Sequence, residues 1–361
     1  MKTLYNFSAG PSVLPREVLL DAQKNLIDYE GCGVSVMEMS HRSKEYDDII
    51  KKTEELFHTV MGIPANYKVL FLQGGATLQF GMVPMNLLSK NGKADYVLTG
   101  NFATAAYKEA LLFGKQISVA GSTKEENFKR IPEQKELKLD PNADYVHICD
   151  NNTIIGSKWK YIPDTGKVPL VADMSSCILS EPVDVSKFGL IYAGAQKNIA
   201  PAGLTVVIIR KDLIYDPLPG TPTMLNYKIQ AENDSMKNTP PCWPIYISKL
   251  VLEYLIKLGG LEEMKKRNEI KSKLLYDYLD STDFYQTHVI PKDRSMMNVT
   301  FRTKSEELDN KFVKESIAAG MANLKGHRDV GGMRASIYNA MPKEGLEYLV
   351  NFMQKFEKEN R

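Results

Sequence analysis

The sequence predicts an α/β fold, with a large domain built on a mostly parallel β-sheet covered by helices and a smaller α+β module after it. Three observations predict it. Between residues 68 and 209, short apolar runs alternate with helical stretches. The runs are bounded by Gly and Pro, and several are rich in β-branched residues, as in strands buried within a covered sheet. After Arg210 the texture changes to a Pro-, Asn- and Thr-rich stretch, then to mixed helices and strands.

The elements follow in order. NFSAGPSVLP is turn-rich, with Gly10-Pro11 and Pro15 as breaks. Pro15 opens a predicted helix carrying Leu19, Ala22, Leu26 and Tyr29, ended by Gly31. Residues 32–40 (CGVSVMEMS) read as extended and lead to His41 and Arg42. A second helix is predicted over 43–62, with Tyr46, Ile49, Ile50, Thr53, Phe57 and Val60 along one side. Strands are predicted at 68–72, 94–98, 116–120, 145–149, 168–172, 190–192 and 204–209. The first two lead into helices through 88 and 113. Residues 217–244 are too long for a simple connection, which marks them as functional or interfacial. Helices over 245–258 and 261–279 are separated by Gly259-Gly260. Strands near 297–302 and 334–338, with helices near 308–319 and 343–358, complete the C-terminal module. The expected division is a large domain over 16–264 and a small domain formed by 1–15 with 265–361.

Bulk composition bounds the function. The 361 residues are 43% hydrophobic and 25% charged, an ordinary globular balance. With 46 basic against 44 acidic residues, a general nucleic-acid surface is excluded, so any anion site must be local. Cys32, Cys149, Cys177 and Cys242 are scattered without a CxxC pair, which suits a reducing compartment. MKTLYNFSAGPSVLP lacks the apolar core of a signal peptide, and no stretch approaches a membrane span. A cytoplasmic protein is therefore expected. The five histidines show no HExxH and no Cys/His metal spacing, so no metal is expected, and there is no GxSxG elbow.

Four features fall at strand ends, where α/β sheets bind ligands. Gln73-Gly74-Gly75-Ala76-Thr77 joins a strand to a helix and leaves free backbone N–H groups suited to one phosphate. It reads equally as a plain tight turn, and it lacks the lysine of a nucleotide-triphosphate loop. Asp173 closes the apolar run VPLVAD and suits either a buried cation or a helix cap. Thr153 offers a hydroxyl after the strand at 145–149, or serves as a turn residue. Lys197 sits on a turn between two buried strands, in YAGAQKNIAPAGLTVVIIR. A lysine held against apolar strands is a candidate for a depressed pKa and Schiff-base chemistry, and otherwise a snorkelling surface side chain. Together these fit pyridoxal phosphate, which needs a phosphate cradle, an imine-forming lysine and a carboxylate at its ring nitrogen. His41-Arg42, His327-Arg328 and Arg334 add cations suited to a phosphate and a carboxylate.

The motifs NFSAGPSVLP, SVMEMSHRS, FLQGGATLQF, YAGAQKNIAPAGLTVVIIR, DSMKNTPP and KGHRDVGGMRASIYNAMP, in that order, make the chain resemble the phosphoserine aminotransferases nearly end to end. These are class V pyridoxal-phosphate enzymes of fold type I, with a mixed, mostly parallel sheet. The resemblance implies reversible amino transfer between glutamate and 3-phosphohydroxypyruvate, giving 2-oxoglutarate and O-phosphoserine, in serine biosynthesis. Some bacterial members also act on the related phosphohydroxythreonine step of pyridoxine biosynthesis. It further implies that Lys197 forms the Schiff base and moves the substrate proton, and that Asp173 pairs with the ring nitrogen. Thr153 would meet the ring hydroxyl, and Ala76, Thr77 and Gln196 the cofactor phosphate. Asn238 and Thr239 would reach the cofactor of a neighbouring subunit, so a homodimer with shared active sites is implied. Arg334 would bind the substrate carboxylate, and His41, Arg42, His327 and Arg328 the phosphate or side-chain carboxylate. Two positions depart from the family pattern: Phe102 stands where a ring-stacking Trp is usual, and Thr77 where some members carry Arg. Within the same fold, a cysteine desulfurase needs a catalytic cysteine on a mobile loop, for which Cys242 is the loop candidate. A serine–glyoxylate type aminotransferase does not need two His-Arg pairs. A protein that binds the cofactor without turnover is a third alternative.

Overall fold

The computed structural model describes residues 4–361; residues 1–3, and the part of the expected small-domain segment that falls on them, lie outside the described residues. The chain opens with β1 (Tyr5–Asn6), α1 (Arg16–Lys24) and α2 (Lys44–Met61). There follow β2 (Tyr67–Leu72), α3 (Gly75–Leu87), β3 (Lys93–Leu98), α4 (Asn101–Leu111), β4 (Gln116–Ser122) and β5 (Tyr145–Cys149). A small pair, β6 (Asn151–Asn152) and β7 (Ser157–Lys158), precedes β8 (Leu170–Asp173), β9 (Leu190–Gly194) and β10 (Thr205–Arg210). Helices α5 (Tyr227–Glu232), α6 (Cys242–Lys257) and α7 (Gly260–Asp280) come next. The chain ends with β11 (Gln286–Thr287), β12 (Asn298–Arg302), α8 (Glu306–Ala318), β13 (Met321–Ala322), β14 (Met333–Ser336) and α9 (Lys343–Asn360).

Seven strands form the main sheet, in the order β2-β10-β9-β8-β5-β3-β4. Only β10 runs against its neighbours, antiparallel to both β2 and β9. The C-terminal ends of β2, β3, β5, β8 and β9 therefore share one edge of the sheet. Period-2 alternation fills both faces. Val69 and Phe71 of β2 join Val206 and Ile208 of β10 in one core, while Leu70 and Leu72 join Val207 and Ile209 in the other. Each such side chain contributes about 1.5–3 kcal/mol on full burial, so two-sided packing holds these strands as apolar runs.

A third core gathers Phe7, Leu275, Phe284, Phe301, Phe312, Met333, Leu346 and Phe356 around the sheet β11-β12-β14. β1 pairs with β13 in parallel, Tyr5 opposite Met321, which seats the N-terminal strand on this module. Helix α7 spans two cores, with Leu261 and Met264 in the first and Leu275 and Leu279 in the third.

Helix α2 ends where the sequence indicates. Ser43 Oγ accepts the Tyr46 N–H at 3.3 Å, and Gly62 closes the helix in the left-handed region at φ 62°. Three expectations need correction. Helix α1 stops at Lys24, so Leu26 and Tyr29 lie beyond it. Short polar side chains compete with the helix there: Asn25 Oδ1 accepts from Glu30 N at 3.4 Å and Asp28 Oδ1 from Gly33 N at 2.8 Å. Residues 32–40 form successive turns instead of an extended run, because Ser35 bonds locally, its Oγ accepting from Met37 N at 3.2 Å. The 217–244 stretch holds a short 3₁₀ turn, Thr223–Leu225, and α5, whose first turn is capped by Asn226. Helix α6 also starts early, at Cys242, with Pro244 in its first turn, where a missing N–H costs nothing.

Candidate active site

Because the parallel strands share direction, the loops after β2, β3, β5, β8 and β9 meet at one rim. They enclose a cavity of about 320 Å³, bounded by Ala76, Thr77, Phe102, Thr153, Asp173, Gln196 and Lys197 from the main sheet and by His327 and Arg334 from the C-terminal module.

Lys197 lies on the return from β9 to β10. Ala195 fixes that return, its carbonyl accepting from Lys197, Ile199 and Ala200 N–H at 2.7, 3.2 and 2.9 Å. Lys197 Nζ donates to Thr153 Oγ1 at 2.9 Å and stands 5.7 Å from the centre of the Phe102 ring. Burial pushes its pKa below the ordinary lysine value; the Asp173 carboxylate works against that, and Arg334 adds to it. Burial thus shifts the balance toward the neutral amine, the form that acts as a nucleophile.

Asp173 ends β8, opposite Cys149 of β5 and Tyr192 of β9. Its Oδ1 accepts from Ser175 N at 2.9 Å and Ser175 Oγ at 2.6 Å, and Oδ2 is left for a ligand in the cavity. Burial raises its pKa, while the Ser175 bonds and the Lys197 charge lower it. Ser175 was not singled out from the sequence. Its Oγ also accepts from Gly194 N at 3.0 Å, so one hydroxyl joins the end of β8 to the end of β9. A hydroxyl two residues after Asp is a turn signal that pointed to it.

At the opposite wall, Gly74 and Gly75 adopt φ 89° and 70°, and a Cβ on Gly74 would stand 2.3 Å from Leu78 Cδ2. Only glycine fits, and the turn delivers the first N–H groups of α3, which carries no acidic residue in its first turn. Ala76 and Thr77, in the first turn of that helix, line the cavity, where such N–H groups suit an anion. Ala9 and Gly10 close the floor, held by Ser12, whose N–H reaches Gln196 O at 2.9 Å and whose hydroxyl donates to Lys197 O. This strap is a second feature that sequence reading missed.

Arg334 on β14 reaches over the rim, Nη1 donating to Thr153 O at 3.3 Å, and burial lowers its pKa. His327 lines the cavity and Arg328 does not, its side chain being 88% exposed. His41, Arg42, Asn238 and Thr239 are also outside the cavity wall. His41 and Thr239 gather elsewhere: His41 Nδ1 and Thr239 Oγ1 are 3.2 Å apart, and Gln73 Nε2 donates to Thr239 O at 3.1 Å. Arg42 and Asn238 are exposed nearby in sequence.

The donor set fits pyridoxal phosphate. A helix N-terminus faces where a phosphate would lie, an aromatic ring is available for stacking, a buried carboxylate has a free oxygen, and a desolvated amine lies within reach of the same space. Cys242 takes no part: it opens α6, its Sγ donates to Pro240 O at 3.4 Å, and it is not in the cavity wall.

The profile of the class-V aminotransferases matches residues 4–349. A phosphoserine aminotransferase of Bacillus cereus is 53% identical over 361 residues, covering 100% of both chains. One from Nitrosomonas europaea is 54% identical, covering 99% of each chain. Among solved structures, the phosphoserine aminotransferase of Bacillus circulans subsp. alkalophilus superposes with a TM-score of 0.98 at 48% identity over 100% of both chains. A PLP-bound phosphoserine aminotransferase of Trichomonas vaginalis gives 0.93 at 36% identity, covering 97% of this chain and 99% of that one. The chain belongs to the class-V aminotransferases and, within them, to the phosphoserine aminotransferase family.

Proposed function

We propose that the chain catalyses reversible amino transfer between glutamate and 3-phosphohydroxypyruvate, giving 2-oxoglutarate and O-phosphoserine, with pyridoxal phosphate as cofactor. One observation carries this reading: a desolvated lysine and a buried aspartate with a free oxygen open into one cavity that Arg334 and His327 overhang. The likeness to phosphoserine aminotransferases at 53–54% identity over nearly the whole length supports this choice of substrate.

When bound, the cofactor supplies an electron sink for the bond to the substrate's α-hydrogen. The residues supply the rest. Asp173 Oδ2 would face the ring nitrogen, Thr153 the ring hydroxyl, and Phe102 the ring face. The N–H groups of Ala76 and Thr77, with Gln196, would hold the phosphate. Lys197 Nζ, its pKa lowered by burial, would take the proton from the substrate Cα and return it on the other side of the transfer. Arg334 would orient the α-carboxylate in bidentate fashion, and His327 would receive the substrate phosphate, joined by Arg328 once it swings in from the surface.

The active unit is a homodimer in this reading. His41, Arg42, Asn238 and Thr239 lie outside their own chain's cavity and would complete the site of a second copy. The segment before them exposes Leu19, Leu20, Ile27, Val34 and Met37, with Ile27 at 84% and Met37 at 60%, an apolar set suited to an interface. The division into 16–264 and 1–15 with 265–361 follows the separate third core. No described helix is long and apolar enough to cross a membrane, which agrees with a cytoplasmic enzyme. The phosphohydroxythreonine step is a further candidate reaction of the same site.

The test uses the visible absorption of the cofactor-loaded protein. O-phosphoserine and glutamate are each expected to bleach the band, and alanine and cysteine to leave it. Bleaching by cysteine with release of sulfide, or no change with any amino donor, defeats the proposal. Lys197→Ala is expected to abolish the bleaching.

A further inference from the structure

His327 and Arg328 differ in placement. His327 lines the active cavity, while Arg328 is exposed and is not part of its wall. Asp329 meets both, His327 through its backbone N–H and Arg328 through its carboxylate. Asp329 Oδ2 lies 3.5 Å from His327 Nδ1, and Asp329 Oδ1 lies 3.7 Å from Arg328 Nε. The carboxylate is itself anchored, because Asn101 Nδ2 donates to Oδ2 at 2.7 Å. Its backbone N–H also reaches His327 Nδ1 at 3.3 Å, so the neutral ring carries its proton on Nε2.

Asp329 does not face the active cavity. It lines a second cavity of about 690 Å³, together with Asn101, Ile155, Val330 and Met333. Four neighbours of these residues in sequence, Phe102, Ile154, His327 and Arg334, line the active cavity. The same segments thus form a partition, with Asp329 on its far side. An anchored carboxylate on that side holds the side chains that a phosphate on the near side requires.

We infer that Asp329 is a built-in competitor of the substrate phosphate, and so sets the affinity for phosphorylated relative to non-phosphorylated substrates. This rests on the reading of the cavity as a phosphoserine aminotransferase site. A phosphate group carries close to two negative charges against one on Asp329, so it displaces the carboxylate, but only after Arg328 has been released. That release lowers the apparent affinity in proportion to the fraction of protein already free of the Asp329 contact. The pairs are long and partly exposed, with Asp329 at 45%, so the effect is modest.

Steady-state kinetics of the loaded enzyme and its Asp329→Asn variant test this, with O-phosphoserine and glutamate varied separately. The variant keeps the side-chain shape and the backbone bond to His327. Its KM for O-phosphoserine is expected to fall about two- to fivefold, with kcat unchanged and the KM for glutamate less affected. The difference is expected to shrink when salt is raised to ~0.5 M, which screens exposed charges. An unchanged or higher KM for O-phosphoserine overturns the inference. So does an equal shift for glutamate, which marks a structural role. Inorganic phosphate, titrated into both proteins, separates this from the functional reading. If the parent enzyme does not use O-phosphoserine, the function fails, yet tighter phosphate binding by the variant upholds the competitor; equal phosphate binding overturns it.

Discussion

Replacing Ser175 by alanine tests how the site holds its carboxylate. Two bonds disappear: the donation to Asp173 Oδ1 at 2.6 Å and the acceptance from Gly194 N at 3.0 Å. A hydrogen bond to a charged group contributes about 1.5–3 kcal/mol, and 1.36 kcal/mol corresponds to one pKa unit. The Asp173 pKa, already raised by burial, is therefore expected to rise by about one further unit or more. The protonated acid is a poor partner for a ring nitrogen, so the acidic limb of the kcat profile moves to higher pH by the same amount. The stability sign follows. A folded-state pKa above the unfolded value means that folding takes up a proton, so this group's contribution falls as pH rises from the unfolded value through the folded one. The variant should lose about 2–4 kcal/mol at pH 8, which combines the charge-assisted bond and the buried Gly194 N–H. It should lose less at low pH, where Asp173 in the folded protein is protonated and the bond from Ser175 is no longer charge-assisted. Denaturant unfolding at several pH values, with the pH–rate profile, measures both effects. An unmoved acidic limb, or a stability loss independent of pH, refutes the role given to Ser175.

Further outcomes can be stated together. Arg334→Ala should raise KM about tenfold or more for glutamate and O-phosphoserine alike, through loss of a charge-assisted contact; Arg328→Ala should do so mainly for the phosphorylated substrate, with glutamate less affected. Phe102→Trp should slow cofactor loss in dialysis, since a larger ring adds about 0.5–1.5 kcal/mol of stacking; faster loss would mean that the cavity lacks room for it. Lys271 is buried among the carbonyls of Ile337, Tyr338, Asn339 and Met341 at 2.8–3.2 Å, and burial, with Arg267, pushes its pKa down to about 7. The folded protein releases this proton before the unfolded chain does, so stability should rise between pH 7 and 10 in the parent and stay flatter in Lys271→Met.

Much of this arrangement was legible because it is local. Two-sided burial writes β2 and β10 as apolar runs, and the residues that follow such runs are delivered to the rim by topology. Lys197, Asp173, Thr153 and the Gly74-Gly75 turn were found in this way. What escaped depends on contacts distant in sequence. Ser175 matters through Gly194, 19 positions on, and Ser12 through Lys197, 185 positions on. Asp329 is an ordinary loop residue until Asn101, 228 positions away, fixes its carboxylate. The turns at 25–40 were misread for a different reason. Their apolar spacing resembles a helix and then a strand, while Asn25, Asp28 and Ser35 bond to nearby backbone and override the pattern.

The reversed strand β10 has a consequence for how the site is assembled. In a sheet of parallel strands, the residue after a strand normally begins a long crossover. Here a return over residues 195–204 leads from β9 directly to the adjacent β10, and Gly194 pairs with Thr205 at its two ends. Both ends of the Lys197 return are thus clamped by ladder hydrogen bonds between strands adjacent in sequence. Little loop entropy remains to be lost when a ligand arrives. The amine is pre-positioned by the sheet itself, so little of a ligand's binding energy is needed to order it.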